Sequence, residues 1–421
     1  PLFFVGHSAG GPQAQVRAVE FAERCFGLMQ YRGGGPFHGD KHLPPGIPSL
    51  MMVGQFDEFG GTMRHEDGRE HWEGVVEAAE RFRTADEGNL LSVVVEPGAG
   101  HFAWSERNAA YFAMFLRKAA AARIPAEWPV DEPAPPRLLK IDRNSGWLSD
   151  LRFKSAGRFP PAAYGEYQGA KTAAQWHFDR QMAEATVAYH KGLDRSDQFI
   201  RWKDPVFVDA GARFFFSSIQ WVGDGQTFEV HPVYADQYPG QYDGNGPIWP
   251  KAGQPVGNSG TPIRVKVVGG PIAVADAEKH QFRLQFDGLA PPSDMGRVTF
   301  MAYSEGDERF RYTEQVGMLP RGFKGLNLGK DQAIRFAPLQ DLKAGGAPQP
   351  LKALSDSGQP VEFYVAYGPA QVADGLLRVC ELPVRTSYPV SVKVVAYQAG
   401  RGVEPRLKMA EPVEQIIRIV P

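Results

Sequence analysis

The hydrophobic period of the chain changes once, around residue 125, and the change limits what each side can fold into. Before it, short apolar runs alternate with helical segments. Leu2–Gly6, "CFGLMQY" at 25–31, "SLMMV" at 49–53 and "LLSVVV" at 90–95 read as strands buried on both faces. Between them come a helix from Pro12 to about Glu23 and another over 69–83, with Trp72, Val75, Val76, Ala79 and Phe82 on one face. "NAAYFAMFLRKAAAA" at 108–122 closes the series and stops before Pro125. Such alternation predicts a parallel sheet with right-handed helical crossovers. "PAEWPVDEPAPPR" at 125–137 is a proline- and acid-rich linker. From Pro205 onward the period is two: "QTFEVHPVYA", "IRVKVVG", "HQFRLQFDG" and "GRVTFMAYS" are short strands punctuated by Gly, Pro and Asp.

With 421 residues, 43% of them hydrophobic, the chain is long enough for two to four domains. The expected division is 1–124, a parallel-sheet unit; 125–202, a linker and accessory segment with one helix at Ala173–His190; 203–330, a β-sandwich-like unit; and 331–421, a second β-sandwich. A formal charge of −2 supplies no basic surface for nucleic acid. No apolar run approaches the roughly 20 residues of a membrane span. The two cysteines, Cys25 and Cys380, fall in different expected units, so no disulfide between them and no CxxC-type zinc site is expected. Pro1 stands in mid-strand, so further strands and any leader are expected upstream. The edge at residues 2–6 would then be an aggregation hazard, and residues 1–421 alone are expected to be poorly soluble and weakly active.

Gly6-His7-Ser8-Ala9-Gly10 fits G-x-S-x-G between a predicted strand and a predicted helix. A serine on so tight a turn projects its hydroxyl beyond the sheet edge, and flanking glycines remove side chains that would collide there. The N–H of Ala9 and the helix N-terminus would face an oxyanion. "SLMMV" runs into Gly54-Gln55-Phe56-Asp57-Glu58, and "LLSVVV" runs into Glu96-Pro97-Gly98-Ala99-Gly100-His101. A carboxylate and a histidine thus follow the C-terminal ends of later strands, where open α/β sheets gather catalytic groups. In that order His101 would take the proton of Ser8, and Asp57 would orient the imidazole. Glu58 is the alternative orienter, and His7 reads as a packing residue beside the nucleophile.

On "GHSAGG", "VGQFDEF" and "GAGHF", residues 1–124 resemble the C-terminal half of an α/β-hydrolase of the esterase, lipase and peptidase superfamily. The resemblance implies a Ser8, Asp57, His101 triad with Ala9 in the oxyanion hole and no cofactor. The family's earlier strands, and with them the loop that donates the second oxyanion N–H, are missing from the residues at hand.

His38, Asp40 and His42 alternate along one loop and could meet on a metal. A plain solvated loop or a pocket rim formed by His38 and His42 together with His7 are the other readings, and no metal site is expected. Tyr238, Tyr242 and Trp249 lie on a glycine-rich loop that could stack on a sugar or simply pack on itself. The last ninety or so residues resemble bacterial Ig-like repeats through the "QAIRFAPLQD" opening, "SDSGQPVEF", "GPAQV" and the closing "VKVVAYQAG". That likeness implies a spacer or adhesion module and shifts the expected location to secreted, periplasmic or cell-surface. The expected activity is carboxylic-ester hydrolysis through an acyl-enzyme, with an extracellular polysaccharide ester as first candidate and a cell-surface glycan as a partner of the β units. A peptidase or lipase of the same superfamily is the near alternative, and a surface scaffold with an inactive hydrolase unit is the distant one.

Overall fold

The computed structural model describes residues 1–35, 42–55, 71–97, 99, 101, 106–127, 137–151, 159–203, 214–215, 220–238, 253–292, 298–319, 323–383 and 386–421. Over these the chain is mostly β sheet with four α-helices. Strands β1 (Leu2–His7), β2 (Cys25–Tyr31), β3 (Ser49–Gly54) and β4 (Leu91–Glu96) form one parallel sheet in the order β1-β2-β3-β4. Helix α1 (Gly10–Glu20) lies between β1 and β2 and α2 (His71–Ala85) between β3 and β4, while α3 (Glu106–Arg123) follows β4 and packs on the sheet.

Alternation along each strand decides what packs on which face. Met51 and Val53 of β3 and Val93 and Val95 of β4 point to one side, where Ala14 and Ala18 of α1 and the predicted face of α2 cover them. Leu50, Met52 and Val94 point to the other, against Tyr111, Phe112, Phe115 and Ala119 of α3. All five residues of the expected α2 face, Trp72, Val75, Val76, Ala79 and Phe82, are buried. No helix among the described residues is long and apolar enough to cross a membrane.

The two edges of this sheet differ. At β1 the apolar side chains stay partly open, with Val5 59% exposed. At β4 the edge is closed by the accessory segment, made of β5 (Trp147–Asp150), β6 (Ala162–Ala163), β7 (Ala174–His177) and α4 (Arg180–His190). The N–H of Val93 donates to Gln175 Oε1 at 2.8 Å, and the N–H of Val95 donates to His190 Nε2 at 3.2 Å. Side chains thus take over the ladder that a further strand would have made. His190 can accept only when Nε2 is unprotonated, and burial, reinforced by His177, holds its pKa well below the ordinary histidine value.

Here the expected helix at Ala173–His190 is corrected. Its first residues are the strand β7, which pairs with β5, Trp147 to His177 and Leu148 to Trp176. The helix starts only after Asp179, whose carboxylate accepts from the N–H of Met182 at 3.0 Å as an N-cap. Trp176 is therefore a strand residue, apart from the helical stripe of Met182 and Tyr189.

The β region begins with β8 (Ile200–Trp202), which pairs with β12 (Pro232–Tyr234), a few residues before the expected start at 203. Two four-stranded sheets then face each other. One comprises β10 (Gln220–Val222), β11 (Thr227–Glu229), β15 (Gln281–Leu284) and β14 (Ile272–Asp276). The other comprises β13 (Arg264–Gly269), β16 (Val298–Ser304), β17 (Thr313–Leu319) and β9 (Phe214–Phe215). Phe228, Phe282, Phe300 and Phe323 fill the space between them.

In the last ninety residues, β19 (Leu342–Lys343), β26 (Val413–Val420), β25 (Val390–Tyr397) and β22 (Glu362–Tyr367) form one sheet. A second sheet holds β20 (Gln349–Pro350), β24 (Leu376–Val379) and β23 (Ala370–Ala373), and β18 (Ile334–Phe336) pairs with β21 (Ala353–Ser355). Leu342, Leu377, Val392, Val394, Ile417 and Ile419 make their core. Tyr364, Val395 and Tyr397, however, belong to the core of the preceding unit. The Tyr397 ring lies 4.9 Å from Phe286, and its hydroxyl donates to Glu362 Oε2 at 2.6 Å. A continuous apolar contact therefore crosses the expected boundary at 330/331.

Candidate active site

Ser8 sits between the end of β1 and the start of α1 with φ of 56°, in the left-handed region that a residue with a Cβ rarely adopts. Its N–H donates to the Tyr31 carbonyl at 3.0 Å, and its own carbonyl accepts from the N–H of Gly11 at 2.9 Å. The turn is held from both sides. A Cβ on Gly6 would overlap the Gly10 carbonyl, and one on Gly33 would overlap the Ser8 carbonyl. Glycine at these two positions lets helix, strand and the chain leaving β2 approach one another closely. Ser8 is left half-buried, and Ala9 is exposed at the N-cap of α1.

His101 lies past the end of β4 and is 3% exposed. Its carbonyl accepts a hydrogen bond of 3.0 Å from His7 Nε2, so that nitrogen carries the proton. The two imidazoles are 5.0 Å apart between centroids, and the Tyr31 ring is 5.3 Å from His7. The serine turn and the histidine loop therefore meet at the C-terminal end of the sheet, with His7 joining them. Asp57, Glu58 and His38 lie outside the described residues, as do Tyr242 and Trp249.

His42 stands elsewhere. It lines a small cleft with Pro45, Phe82, Asp86 and Asn89, residues at the end of α2 and just before β4. That is the N-terminal end of the strands. The connection from β2 to β3 must cross the whole sheet to start a parallel strand, and by His42 it has already crossed. His42 therefore lines a cleft apart from the serine and histidine loops. No cluster of three or more metal-ligating side chains occurs among the described residues. Tyr238 packs on Phe199, and its hydroxyl donates to Asp197 Oδ2 at 2.8 Å, which ties it to its own unit.

Beneath the site is a buried polar network that sequence reading overlooked. Arg32, just past β2, forms an ion pair with Glu96, the last residue of β4, and both side chains are fully buried. Asn108 Nδ2 donates to Glu96 Oε2 at 2.8 Å and to the Tyr31 hydroxyl at 3.2 Å. Tyr189 of α4 donates to Asn108 Oδ1 at 3.1 Å. The Arg107 guanidinium lies over the rings of Tyr189, at 4.2 Å, and Tyr312, at 4.7 Å. Glu314 Oε2 accepts from the Tyr312 hydroxyl at 2.7 Å, and its Oε1 lies 4.0 Å from Arg32 Nη2. The available signal was Glu96 itself, a carboxylate ending an otherwise apolar buried run, which must find a cation.

Burial first, and then the charge of Glu96, push the Glu314 carboxyl up to about 7, against the opposing pull of Arg32 and the Tyr312 hydroxyl. Folded Glu314 thus holds its proton more tightly than unfolded Glu314, whose ordinary value is 4.5. Its contribution to stability is complete below 4.5 and is lost as pH rises through about 7. Relative to Glu314→Gln, the native protein is expected to lose about 3 kcal/mol over that interval. Denaturant melts of both proteins across the range test this, and a difference that stays flat or grows with pH refutes it.

No family model matches the chain, and no curated protein matches it. Solved structures similar to it include human protocadherin-24 EC1-2 in form II, at 10% identity over 40% of this chain and 86% of that one, with a TM-score of 0.18. Mouse cadherin-23 EC22-24 is 13% identical over 54% of this chain and 66% of its own, with a TM-score of 0.17. Drosophila N-cadherin EC1-4 is 11% identical over 59% and 53%, also at 0.17. At such scores the likeness carries no argument about this chain.

Proposed function

We propose that residues 1–124 form a serine hydrolase unit of the α/β-hydrolase type, acting on carboxylic esters through an acyl-enzyme. The observation that carries this reading is Ser8 at φ of 56° on a strand–turn–helix junction whose glycines cannot be replaced without overlap. A turn serine with no task would relax to an ordinary conformation, because the left-handed one costs energy. The contact between His7 and the His101 carbonyl supports the same reading, since it brings the loop of the proposed base to the loop of the proposed nucleophile.

In the proposed reaction His101 removes the Ser8 proton as Oγ attacks the ester carbonyl, and the same proton is returned to the departing alcohol. Water then repeats the attack on the acyl group. The Ala9 N–H, at the head of α1, would donate to the oxyanion. Asp57 is the proposed orienter of the imidazole. A polysaccharide ester outside the cell remains the first candidate substrate to assay.

A fluorophosphonate probe tests the proposal. The native chain should label covalently, and Ser8→Ala should not. A folded native protein that fails to label over hours at neutral pH would sink the serine hydrolase reading.

A further inference from the structure

The β region reaches the C-terminal end of the parallel sheet with side chains that are buried there; two of them meet the segments that frame the two candidate catalytic loops, and a third approaches Arg32, the partner of Glu96. Arg311, immediately before Tyr312 and β17, is 1% exposed. Its Nη1 donates to Gln55 Oε1 at 2.5 Å, and it forms an ion pair with Asp197. Gln198 Nε2 donates to the Arg311 carbonyl at 2.6 Å, which fixes the arginine from its own side. Gln55 extends the β3–β4 ladder by donating its N–H to the Glu96 carbonyl at 3.0 Å. In sequence it precedes Asp57 by two residues.

Tyr312 and Glu314 act on the other loop. His101 stands between Glu96 and Arg107 in sequence, and both ends are gripped. Glu96 is tied to Arg32, which Glu314 approaches from the β region. Arg107, at the start of α3, holds its guanidinium over the rings of both Tyr312 and Tyr189. Interfaces between tethered domains are ordinarily polar and hydrated. Here Arg32, Glu96, Arg311 and Glu314 are removed from water, which costs several kcal/mol per ion before pairing and makes such groups poor sources of net stability. Their placement is better explained by the geometry they impose.

We propose that Arg311 and Tyr312, with Glu314 behind Arg32, are positioning residues for Gln55, Glu96 and Arg107, the residues from which the segments carrying the proposed acid and base depart, so that the β region completes the hydrolase site and does not merely space it. This rests on the serine hydrolase reading for its catalytic consequence, but the bracing of the loops can be measured without it. Small displacements of catalytic groups are worth up to about 100-fold in rate.

The test uses the full chain, with Arg311→Met, Tyr312→Ala and Tyr312→Phe. Hydrolysis of a p-nitrophenyl ester should show kcat falling about 10- to 100-fold in Arg311→Met and Tyr312→Ala. KM should stay within about twofold, as for residues that act on the catalytic groups and not on the substrate. Tyr312→Phe keeps the ring over Arg107 and should retain most of kcat. In parallel, amide hydrogen exchange of the peptide spanning 97–106 should quicken in Tyr312→Ala and not in Tyr312→Phe, and that of the peptide following Gln55 should quicken in Arg311→Met. Should Arg311→Met fail to fold, the Tyr312 pair decides alone. A folded Tyr312→Ala with native exchange at 97–106, or a folded Arg311→Met with native exchange after Gln55, overturns the proposal whatever the activity. If the native protein does not label with fluorophosphonate, the hydrolase reading fails, and the exchange result still decides whether the β region holds this loop.

Discussion

Ser8→Gly is expected to abolish hydrolysis and to stabilise the protein at the same time. Loss of the nucleophile should lower kcat by a factor on the order of 10⁴ to 10⁶. The gain in stability follows from the backbone. Ser8 holds φ of 56°, where a Cβ crowds the neighbouring carbonyl at a cost of roughly 1–2 kcal/mol. Glycine relieves that strain but gives back about 0.5–1 kcal/mol through the greater freedom of its unfolded chain. A net gain of about 0.5–1 kcal/mol remains. Ser8→Ala is the control, since it deletes the hydroxyl and keeps the Cβ. It should lose the same activity and gain no stability. Initial rates and denaturant midpoints for the three proteins separate the outcomes. Activity surviving in Ser8→Gly would remove Ser8 as the nucleophile, and equal midpoints for the Gly and Ala variants would remove the strain.

How far the sequence could be read depended on whether the signal was local. The four parallel strands and the three helices that pack on them follow from short apolar runs and one amphipathic stripe, and they lie close to where the pattern put them. The glycines around Ser8 were legible for the same reason, since a tight turn announces itself within five residues. Residues 173–190 misled because β7 and α4 adjoin with no glycine or proline between them. Only Asp179 marks the junction, through a cap that becomes visible when its partner N–H is known. The place of His42, in a cleft at the N-terminal end of the strands, follows from the direction of the chain, which must cross the sheet between parallel strands. The network beneath the site could not be read at all. Arg32, Glu96, Arg107 and Glu314 come from four segments, and more than two hundred residues separate the first from the last. No period or spacing joins them; the tertiary fold alone does.

Arg32→Met is expected to be among the most destabilising single substitutions outside the apolar cores, at about 3–5 kcal/mol. Methionine matches the length of the arginine stem and retains a Cβ, so the positive φ of Arg32, 52°, is common to both proteins and drops out of the comparison. What changes is the partner of Glu96. Its carboxylate would remain fully buried with the 2.8 Å hydrogen bond from Asn108 and, at 3.9 Å, the Arg107 guanidinium. Those contacts cannot replace a direct ion pair in a medium of low dielectric, and Glu96 would have to take up a proton or draw in water. The double variant Arg32→Met with Glu96→Gln removes both charges and keeps the acceptor for Asn108. It should recover more than half of the loss, because most of the cost lies in the stranded carboxylate and little in the missing attraction. Urea melts of the native, single and double proteins measure both steps. A single variant that costs less than about 1 kcal/mol would mean that water reaches Glu96 in solution. In that case the ends of β2 and β4 would not be sealed by the β region, and the loop that carries His101 would lack the rigid base on which the proposed chemistry depends.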